Sequence, residues 1–382
     1  MQYSLLALGF VWLLAGCRQN TSPVTAVQLY PHTVVVDSTE GFGFEVRDSA
    51  FANLVDTQRG IEVLGGGFEW SEGPVWVGGA DPKLLFNDVP GNVTYVWRPG
   101  NVADSYAGNP TAGGVRGVDT FFYPSGYFAD PAIEGEPGAN GMVVDKEGQL
   151  LLAMHGERAI GKFKHNLQDP EHSWQQASKL EHFELLTTRY GGKRFHSPND
   201  LVQLSNGDLL FTDPTYGVDK TFGEAARELA FPGVYRMAAG TSEPELLIGS
   251  MTRPNGIVVT PDESAVIVAN SDPELTVWWK CNFAERPPSL ENPWCEVFAD
   301  MTSAVGSANP GNADGMVMHP SGVLFATGPG GVLCFSDSGT HLGTIRTGRA
   351  TANVTLGGHA GNELFITADD LLLRVRLSVS ER

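Results

Sequence analysis

A repeated arrangement of polar and apolar positions runs along most of the chain. In each copy a polar residue, followed by Gly or Asp, leads into a short apolar run, and a second apolar run follows about ten residues later. The polar residues that begin the copies are Glu72, Asn140, Asn199, Asn255, Asp314 and, more faintly, Asn353. Short apolar runs bounded by turn residues are typical of β-strands. The pattern therefore predicts six copies of one strand-based unit.

The copies are regularly spaced. The interval is 59 residues from Asn140 to Asn199, 56 from Asn199 to Asn255, and 59 from Asn255 to Asp314. A period in this range, with several short strands in each copy, indicates a β-propeller or a similar array. Because each unit can bury its faces only against its neighbours, the repeat predicts a single domain, which we place at residues 40–382. We expect strands from residues 44–65 to close the ring with the C-terminal end.

Composition agrees with an all-β fold that is rich in tight turns. The chain of 382 residues contains 46 Gly, 24 Pro and only 18% charged residues. Its 25 basic and 44 acidic residues give a net charge of −19. This charge disfavours nucleic acid and anionic lipid as partners, because both require a basic patch. The acidity is compatible with binding of divalent cations, and equally with the solubility of a secreted protein.

The N-terminus resembles an export signal. Residues 5–14 are mostly apolar, a length typical of a signal-peptide core and too short for a membrane span of roughly 20 residues. The string LAGC at residues 14–17 resembles the lipobox of bacterial lipoproteins. We predict a signal peptide at residues 1–17, a lipid on Cys17 and a flexible tether at residues 18–39. The protein would then be a lipoprotein of the bacterial cell envelope, on the periplasmic side or the outer membrane, or alternatively a secreted protein.

The remaining cysteines leave one question open. Cys281 and Cys295 flank a proline-rich loop, and they either form a disulfide or stay reduced. Cys334 lies in an apolar run and is predicted to be a buried thiol. No Cys-x-x-Cys or His-x-x-x-His spacing occurs, which disfavours a zinc site built from nitrogen and sulfur ligands.

The six polar residues that begin the copies are candidates for a metal site. In a propeller the innermost strand of each blade lines a central channel, so residues at the same place in the repeat meet around the axis. All six residues carry a side-chain oxygen. Convergent carboxylate and carboxamide oxygens suit Ca²⁺, or Mg²⁺ and Mn²⁺, better than soft metals. The alternative is that the Asn-Gly and Asp-Gly steps are only turn signals.

Two long connections interrupt the repeat. Residues 109–138 are rich in Gly and Pro, and their aromatic side chains either form a lid over the channel mouth or pack against blade edges. These aromatic residues are Phe121, Phe122, Tyr123, Tyr127 and Phe128. Residues 216–231 form the second connection, in which residues 223–229 are the best candidate for a short helix.

Several motifs along the chain resemble those of one protein family. They are FEWSEGPVW at 68–76, GKR at 192–194, SPND at 197–200, FTDPTYG at 211–217, GVYR at 233–236, RPNG at 253–256, PDE at 261–263 and NADGM at 312–316. In this order they resemble the gluconolactonase branch of the senescence-marker-protein/gluconolactonase family, also called regucalcin-like. The likeness extends from about residue 66 to about residue 374. It is specific to the family and does not single out one substrate.

The resemblance implies a six-bladed β-propeller with one divalent metal, usually calcium, in a central channel. The family's metal ligands correspond to Glu72, Asn199, Asn255 and Asp314. Family members hydrolyse lactones, commonly sugar lactones, and related enzymes cleave phosphotriesters. In that picture the metal polarises the lactone carbonyl and stabilises the tetrahedral oxyanion.

The resemblance also suggests roles for individual side chains. Asp314 is the best candidate for a general base, since it could contact both the metal and a water. Asn140 and Arg194 would hold the substrate. His155 lies in a His-Gly step that matches the family, and it either transfers protons or is structural. Ser197 lacks a Gly-x-Ser-x-Gly frame, which disfavours a serine-hydrolase nucleophile.

The leading hypothesis is a calcium-dependent hydrolase of small sugar-type lactones that is exported, lipid-anchored and monomeric. Mg²⁺, Mn²⁺ and Zn²⁺ are the alternative cations. A second enzymatic reading is a phosphotriesterase or aryl-esterase that uses the same metal site. A third is a non-catalytic propeller in which the metal is structural and the channel mouth binds a sugar or a partner protein.

Overall fold

The computed structural model of the chain describes residues 26–28, 33–35, 41–100, 115–130, 132–168, 179–286 and 294–378. The predicted signal peptide, with Cys17, lies outside these residues, as does most of the predicted tether. Within the tether, β1 (Ala26–Gln28) and β2 (Thr33–Val35) form an antiparallel pair. No helix in the described part of the chain is long and apolar enough to cross a membrane.

Three elements follow the tether, and the two strands among them join the last two sheets. They are β3 (Phe42–Val46), α1 (Ser49–Leu54) and β4 (Ile61–Gly66). Helix α1 begins after Asp48, whose side chain accepts a hydrogen bond from the N–H of Ala50 at 2.8 Å. Such N-caps satisfy a backbone donor that the first turn of a helix leaves unpaired.

Six antiparallel sheets, which we call blades one to six, make up the rest of the chain. Blade one consists of β5 (Ser71–Val77), β6 (Lys83–Asp88), β7 (Val93–Trp97) and β8 (Asp119–Phe122). Blade two consists of β9 (Ala139–Val144), β10 (Leu150–Met154), β11 (Ala159–Phe163) and β12 (Phe183–Thr187). A hairpin of β13 (Arg189–Tyr190) and β14 (Lys193–Arg194) then leads to blade three. Within each blade, strands that follow each other in the chain are hydrogen-bonded neighbours.

Blades three to six continue the same order. Blade three consists of β15 (Leu201–Gln203), β16 (Leu209–Asp213), β17 (Gly233–Met237) and β18 (Glu245–Ile248), with α2 (Tyr216–Phe222) inserted after β16. Blade four consists of β19 (Pro254–Val259), β20 (Ala265–Asp272), β21 (Leu275–Asn282) and β22 (Cys295–Asp300). Blade five begins with β23 (Met316–Met318), β24 (Leu324–Gly328), β25 (Gly331–Phe335) and β26 (His341–Thr347). Blade six begins with β27 (Asn353–Gly357), β28 (Glu363–Ala368) and β29 (Leu371–Arg376). Short 3-10 turns lie at Leu180–His182, Glu224–Ala226, Phe283–Glu285 and Thr302–Ala304.

The blades close into a ring. The first strands of successive blades contact one another in a circle, from blade one through blade six and back to blade one. Strand β4 pairs with β29 as the outermost strand of blade six, and β3 pairs with β26 as a fifth strand of blade five. The prediction of an all-β, six-bladed β-propeller is therefore confirmed. Of the strands expected from residues 44–65, β4 pairs with the C-terminal strand β29, whereas β3 pairs with β26 of blade five.

The apolar core lies between neighbouring blades. Strand β10 is buried on both faces. Its sequence is therefore apolar at every position, without the alternation of a strand that has one face in solvent. Its residues Leu150, Leu152 and Met154 pack toward blade one, whereas Leu151 and Ala153 pack toward blade three. The alternation along one strand thus joins three blades, as expected for a strand with a period of two.

The second long connection contains a helix at a different place from the one predicted. Helix α2 ends at Phe222, before the predicted residues 223–229, where the chain forms only a 3-10 turn. Gly223 has a φ of 80°, which is outside the helical region and ends α2 at that point. The apolar spacing of residues 223–229 did not reveal this break.

The first long connection packs against blades. Phe121 and Phe122 belong to β8 and are buried in the core between blades one and two. Tyr127 meets Phe222 of α2 edge to face, with ring centroids 5.5 Å apart. Phe121 and Phe122 therefore pack against blades, as one of the two alternatives predicted, whereas Tyr127 packs on α2. Residues 109–114 and 131 of this connection lie outside the described residues.

The cysteines that flank the proline-rich loop are joined. Cys281 in β21 and Cys295 in β22 form a disulfide, which resolves the question that the sequence left open. Cys334 is free and buried in the core, as predicted.

Candidate functional site

Five of the six polar residues that begin the copies line one cavity among the innermost strands. They are Glu72, Asn140, Asn199, Asn255 and Asp314. Each lies within two residues of the start of the innermost strand of its blade. The cavity has a volume of about 520 Å³. The sixth residue, Asn353, is buried at the start of β27, and its side chain donates a hydrogen bond to Glu72.

The glycines that follow these residues allow neighbouring blades to approach closely. A Cβ at Gly73, where φ is 52°, would lie 1.9 Å from the carbonyl oxygen of Asn140. A Cβ at Gly256 would lie 2.2 Å from the carbonyl oxygen of Asp314. Real side chains do not tolerate such distances. The repeated glycines therefore serve contacts between blades, and the turn reading does not account for them.

Hydrogen bonds between blades hold the backbone of these residues. The Asn87 side chain, in the second strand of blade one, donates to the carbonyl oxygen of Asn140 at 2.6 Å. The Thr212 hydroxyl, in the second strand of blade three, donates to the carbonyl oxygen of Asn255 at 2.7 Å. The Oδ1 atom of Asn140 itself is buried and has no hydrogen-bond partner among the described residues. That oxygen is available to a ligand in the cavity.

The cavity brings buried carboxylates close to one another. Glu72 is 2% exposed, and burial, together with repulsion from Asp200, raises its pKa to about 8. Burial and the charges of Glu72 and Asp200 also raise the pKa of Asp314 well above its usual value. Asn255 donates a hydrogen bond to Asp314, yet the Oδ1 atom of Asp314 has no partner among the described residues.

Asp200 is a buried carboxylate that the sequence pattern did not assign to the site. Its Oδ1 accepts the N–H of Leu201 at 2.9 Å, and its Oδ2 accepts the N–H of Ile257 in blade four at 3.2 Å. It therefore ties blade three to blade four beside Asn199 and Asn255. The signal was in the sequence, because Asp200 stands where three of the other copies have Gly immediately after an Asn or Asp.

The donor set fits a hard divalent cation. Glu72, Asn199, Asn255 and Asp314 all line the cavity and offer only oxygen donors. The unpartnered Oδ1 of Asp314 and the mutual repulsion of the carboxylates are features that a cation would compensate. No cluster of three or more His, Cys, Asp or Glu that could hold a metal occurs in the described ranges. The predicted set contains two carboxylates and two carboxamides, so it is not a cluster of that kind.

The structure places His155 in the wall of the same cavity. It follows β10, is 1% exposed, and neither ring nitrogen has a hydrogen-bond partner within the described residues. Burial lowers the pKa of His155 to about 4, so the imidazole is neutral at pH 7. The ring packs on Gly217 of α2, where a Cβ would lie 2.5 Å from the imidazole Nδ1.

The structure does not bring Arg194 to this cavity. The Arg194 guanidinium donates to the carbonyl oxygen of Glu157 at 3.0 Å, and the Arg194 backbone N–H donates to the Glu228 carboxylate at 2.8 Å. Arg194 is absent from the described residues that line the cavity. The hairpin β13–β14, which the repeat does not contain, directs the side chain elsewhere. The sequence motif alone could not show that direction.

Three further lining residues come from outside the repeat and were not predicted. Tyr216 and Lys220 lie on α2, and Glu136 lies near the end of the first long connection. The Lys220 ammonium forms an ion pair with the Glu136 carboxylate. Their sequence signal was weak, because only the fold brings residues 84 positions apart into contact.

The fold and cavity define a six-bladed propeller with an acidic, oxygen-lined site among its innermost strands. The chain belongs to the family described as SMP-30/Gluconolactonase/LRE-like region, which matches residues 70–370. It is 34% identical over 328 residues to a gluconolactonase of Zymomonas mobilis subsp. mobilis, and the match covers 85% of this chain and 83% of that protein.

Solved structures agree with this placement. A gluconolactonase of Xanthomonas campestris superposes with a TM-score of 0.67 and 26% identity, covering 88% of this chain and 95% of that one. A calcium-binding regucalcin of Agrobacterium tumefaciens superposes with a TM-score of 0.53 and 14% identity, covering 82% of this chain and 92% of that one. At that identity the regucalcin shows a shared fold alone.

Proposed function

We propose that the protein hydrolyses small, sugar-type lactones and that the reaction depends on a divalent cation held in the cavity. Membership of the family and the likeness to two gluconolactonases support lactone hydrolysis. The observation that carries the metal part is the set of buried side-chain oxygens converging on one cavity. The Oδ1 atoms of Asn140 and Asp314 lack partners within the described residues, and the Glu72 and Asp314 carboxylates repel each other.

The proposed ligands are Glu72, Asn199, Asn255 and Asp314. Their all-oxygen character favours Ca²⁺, with Mg²⁺, Mn²⁺ and Zn²⁺ as alternatives. When bound, the cation would supply polarisation of the lactone carbonyl and stabilisation of the negative charge that develops on its oxygen. The hydrogen bond from Thr212 would hold the backbone of Asn255, and the Asp200 carboxylate would hold blade four beside blade three. The hydrogen bond from Asn87 would hold the backbone of Asn140, the proposed substrate-binding residue.

The remaining chemistry is assigned to side chains of the cavity. The Asp314 carboxylate accepts a proton from the attacking water, whose oxygen forms a bond to the carbonyl carbon. The ring C–O bond then breaks, and the proton passes to the departing ring oxygen, which gives an open hydroxy acid. Asn140 Oδ1 accepts a hydrogen bond from a substrate hydroxyl. His155, neutral at pH 7, is the second candidate for proton transfer.

We also propose that the protein is exported. The disulfide between Cys281 and Cys295 supports this, because disulfides persist in oxidising compartments such as the bacterial periplasm. The lipid anchor on Cys17 remains a prediction from the sequence. Mass spectrometry of the membrane fraction would detect the acylated N-terminal cysteine.

The experiment is proton release by the full chain on a panel of aldonolactones, with Ca²⁺ and with chelator. Asp314→Ala and Glu72→Gln are the test variants. Glu181→Gln is the control, because Glu181 is 69% exposed and pairs only loosely with Lys179 at 3.7 Å. We expect activity to be lost with chelator and to fall about 10²-fold or more in both test variants. The control should match the unchanged protein.

Two other results would redirect the interpretation. Turnover of phosphotriesters or aryl esters, with none on lactones, would favour the alternative hydrolase on the same site. A melting temperature that rises with Ca²⁺ without turnover on either panel would favour a structural metal. If Ca²⁺ and chelator change neither activity nor melting temperature, the proposed metal site is wrong.

A further inference from the structure

One side of the cavity is built from two segments that lie outside the repeat. The end of the first long connection packs directly on α2, since a Cβ at Gly135 would lie 2.5 Å from the Lys220 carbonyl oxygen. The Glu136 N–H donates to the Thr221 hydroxyl at 3.0 Å. Tyr127 and Phe222 meet edge to face in the same interface. These contacts make the two segments one packed unit.

This unit presents three polar side chains to the cavity. We call Tyr216, Lys220 and Glu136 the mouth wall. The Lys220 ammonium and the Glu136 carboxylate are paired, so together they carry no net charge. The Tyr216 hydroxyl reaches the carbonyl oxygen of Ser271 only at 3.5 Å, the outer limit of a hydrogen bond. A closer acceptor in the cavity would therefore be preferred.

The chemistry of the mouth wall matches alcohol groups. A hydroxyl both donates and accepts hydrogen bonds, and the mouth wall offers an acceptor in Glu136, donors in Lys220, and Tyr216, which can do both. An anionic ligand fits less well, because Glu69, Glu72 and Asp314 line the same cavity. An apolar ligand would leave the polar groups of the wall without the partners that water supplies.

We propose that the mouth wall is the specificity-determining half of the site and that Tyr216 selects lactones bearing hydroxyl groups outside the reacting ester. We call Glu72, Asn140, Asn199, Asn255 and Asp314 the inner ring. The inner ring would then act on the ester common to all lactones, while the mouth wall would contact the substituents. This inference rests on the proposed lactone hydrolysis and adds the residues that choose among lactones.

The test compares two lactones on the full chain. Glucono-1,5-lactone carries hydroxyl groups, and δ-valerolactone has the same six-membered ring ester without them. In Tyr216→Phe we expect the ratio of kcat/KM for gluconolactone to that for δ-valerolactone to fall roughly 3-fold to 10-fold, mainly through KM, as the loss of one hydrogen bond implies. The double variant Lys220→Met with Glu136→Gln removes the pair without leaving a lone charge, and should lower the ratio similarly.

A control on the same helix separates recognition from folding. Asp219 lies on α2 but pairs with Arg227 and does not line the cavity. Asp219→Asn should leave the ratio unchanged. Melting temperatures of all variants check that α2 persists. If the mouth-wall variants alter both lactones equally, or change neither, the inference is overturned.

A binding measurement keeps this inference separate from the proposed function. Saturation-transfer NMR with 1,5-anhydroglucitol, a cyclic polyol that cannot be hydrolysed, reports contact without turnover. Loss of this contact in Tyr216→Phe, in a protein that hydrolyses no lactone, would support the mouth wall and refute the proposed function. Lactone turnover with undiminished polyol contact in Tyr216→Phe would refute the mouth wall alone.

Discussion

The inner ring of the cavity and the mouth wall face the same space but are built in different ways. Residues of the inner ring occupy one place in each repeat and are mostly buried, as Glu72 is at 2% exposure. In the mouth wall the Lys220 side chain is 58% exposed and Glu136 is 14% exposed. Backbone contacts between blades hold the inner ring in place. The mouth wall is held in place by the packing of the first long connection against α2.

This difference in construction implies that the inner ring is rigid, whereas the mouth wall can vary in sequence and length. A side chain whose backbone is fixed by glycine contacts between blades cannot move without disturbing the packing of those blades. A long connection between strands can change in length and in sequence while the blades keep their structure. This division predicts large stability effects for substitutions in the ring and small ones for substitutions in the mouth wall.

The largest effect should come from a Cβ placed between two blades. Gly73→Ala would bring a methyl group to 1.9 Å from the carbonyl oxygen of Asn140 at a φ of 52°. We expect a loss of more than about 4 kcal/mol in the free energy of unfolding, or no folded protein, in denaturant titration. Gly148→Ala is the matched control, with a φ of 79° and no atom within 4 Å. It should cost only about 1–2 kcal/mol, the strain of a left-handed backbone alone, and equal losses would contradict the comparison.

A somewhat smaller loss is expected where the ring closes. Glu62 of β4 forms a buried ion pair with Arg374 of β29, with side chains 8% and 6% exposed. Glu62→Gln leaves the buried Arg374 guanidinium paired with the Glu363 carboxylate, at 3.0 Å, and we expect unfolding to become easier by about 3 kcal/mol, at the low end for a broken buried pair. Glu181→Gln breaks a pair whose side chains are about 70% exposed, and it should change stability by less than about 0.5 kcal/mol.

The next effect concerns acid stability at His155, where the ring and the mouth wall meet. Its pKa is lowered by burial to about 4, from an ordinary value of 6.5, while the Glu136 carboxylate opposes this shift and Lys220 adds to it. The unfolded chain therefore binds the proton first, and stability falls as pH falls from about 6.5 to about 4. In His155→Gln this part of the acid loss, roughly 2–3 kcal/mol, should disappear. Denaturant midpoints at pH 7 and pH 4.5 for both proteins measure it, and identical pH dependence would contradict the prediction.

The smallest effect should come from the mouth wall itself. The double variant Lys220→Met with Glu136→Gln removes a partly exposed ion pair, and we expect the free energy of unfolding to change by less than about 1 kcal/mol. Denaturant titration checks this value. A loss comparable with that of Glu62→Gln would mean that the mouth wall supports the ring, and the comparison would then fail.

The repeated pattern along the chain was sufficient to predict the residues of the inner ring. A polar residue at the same place in six copies predicted the five side chains that meet in the cavity, because each copy places that residue at the start of its innermost strand. The glycines that follow Glu72, Asn140, Asn255 and Asp314 mark the same place in the repeat. The place of Asp200 in the repeat marked it as unusual, but the repeat did not show its hydrogen bond with Ile257, 57 residues away.

Other features depended on contacts that no local pattern contains. The helix expected at residues 223–229 lies at Tyr216–Phe222, because a glycine conformation ended it. Arg194 was placed at the site by its motif, but the side chain follows a hairpin that leads to Glu157. The cysteine pair was left open, since spacing alone does not decide whether two strands bring sulfur atoms together.

The sequence by itself determined that this chain forms six similar strand units and that one oxygen-bearing residue from most of them meets at the axis. Repetition makes this possible, because each unit repeats the same short-range pattern. The tertiary structure alone decided the closure by Glu62 and Arg374, 312 residues apart, and the mouth wall formed by Glu136 and Lys220, 84 residues apart. The physical reason is that such contacts arise from the packing of distant segments after the ring has formed.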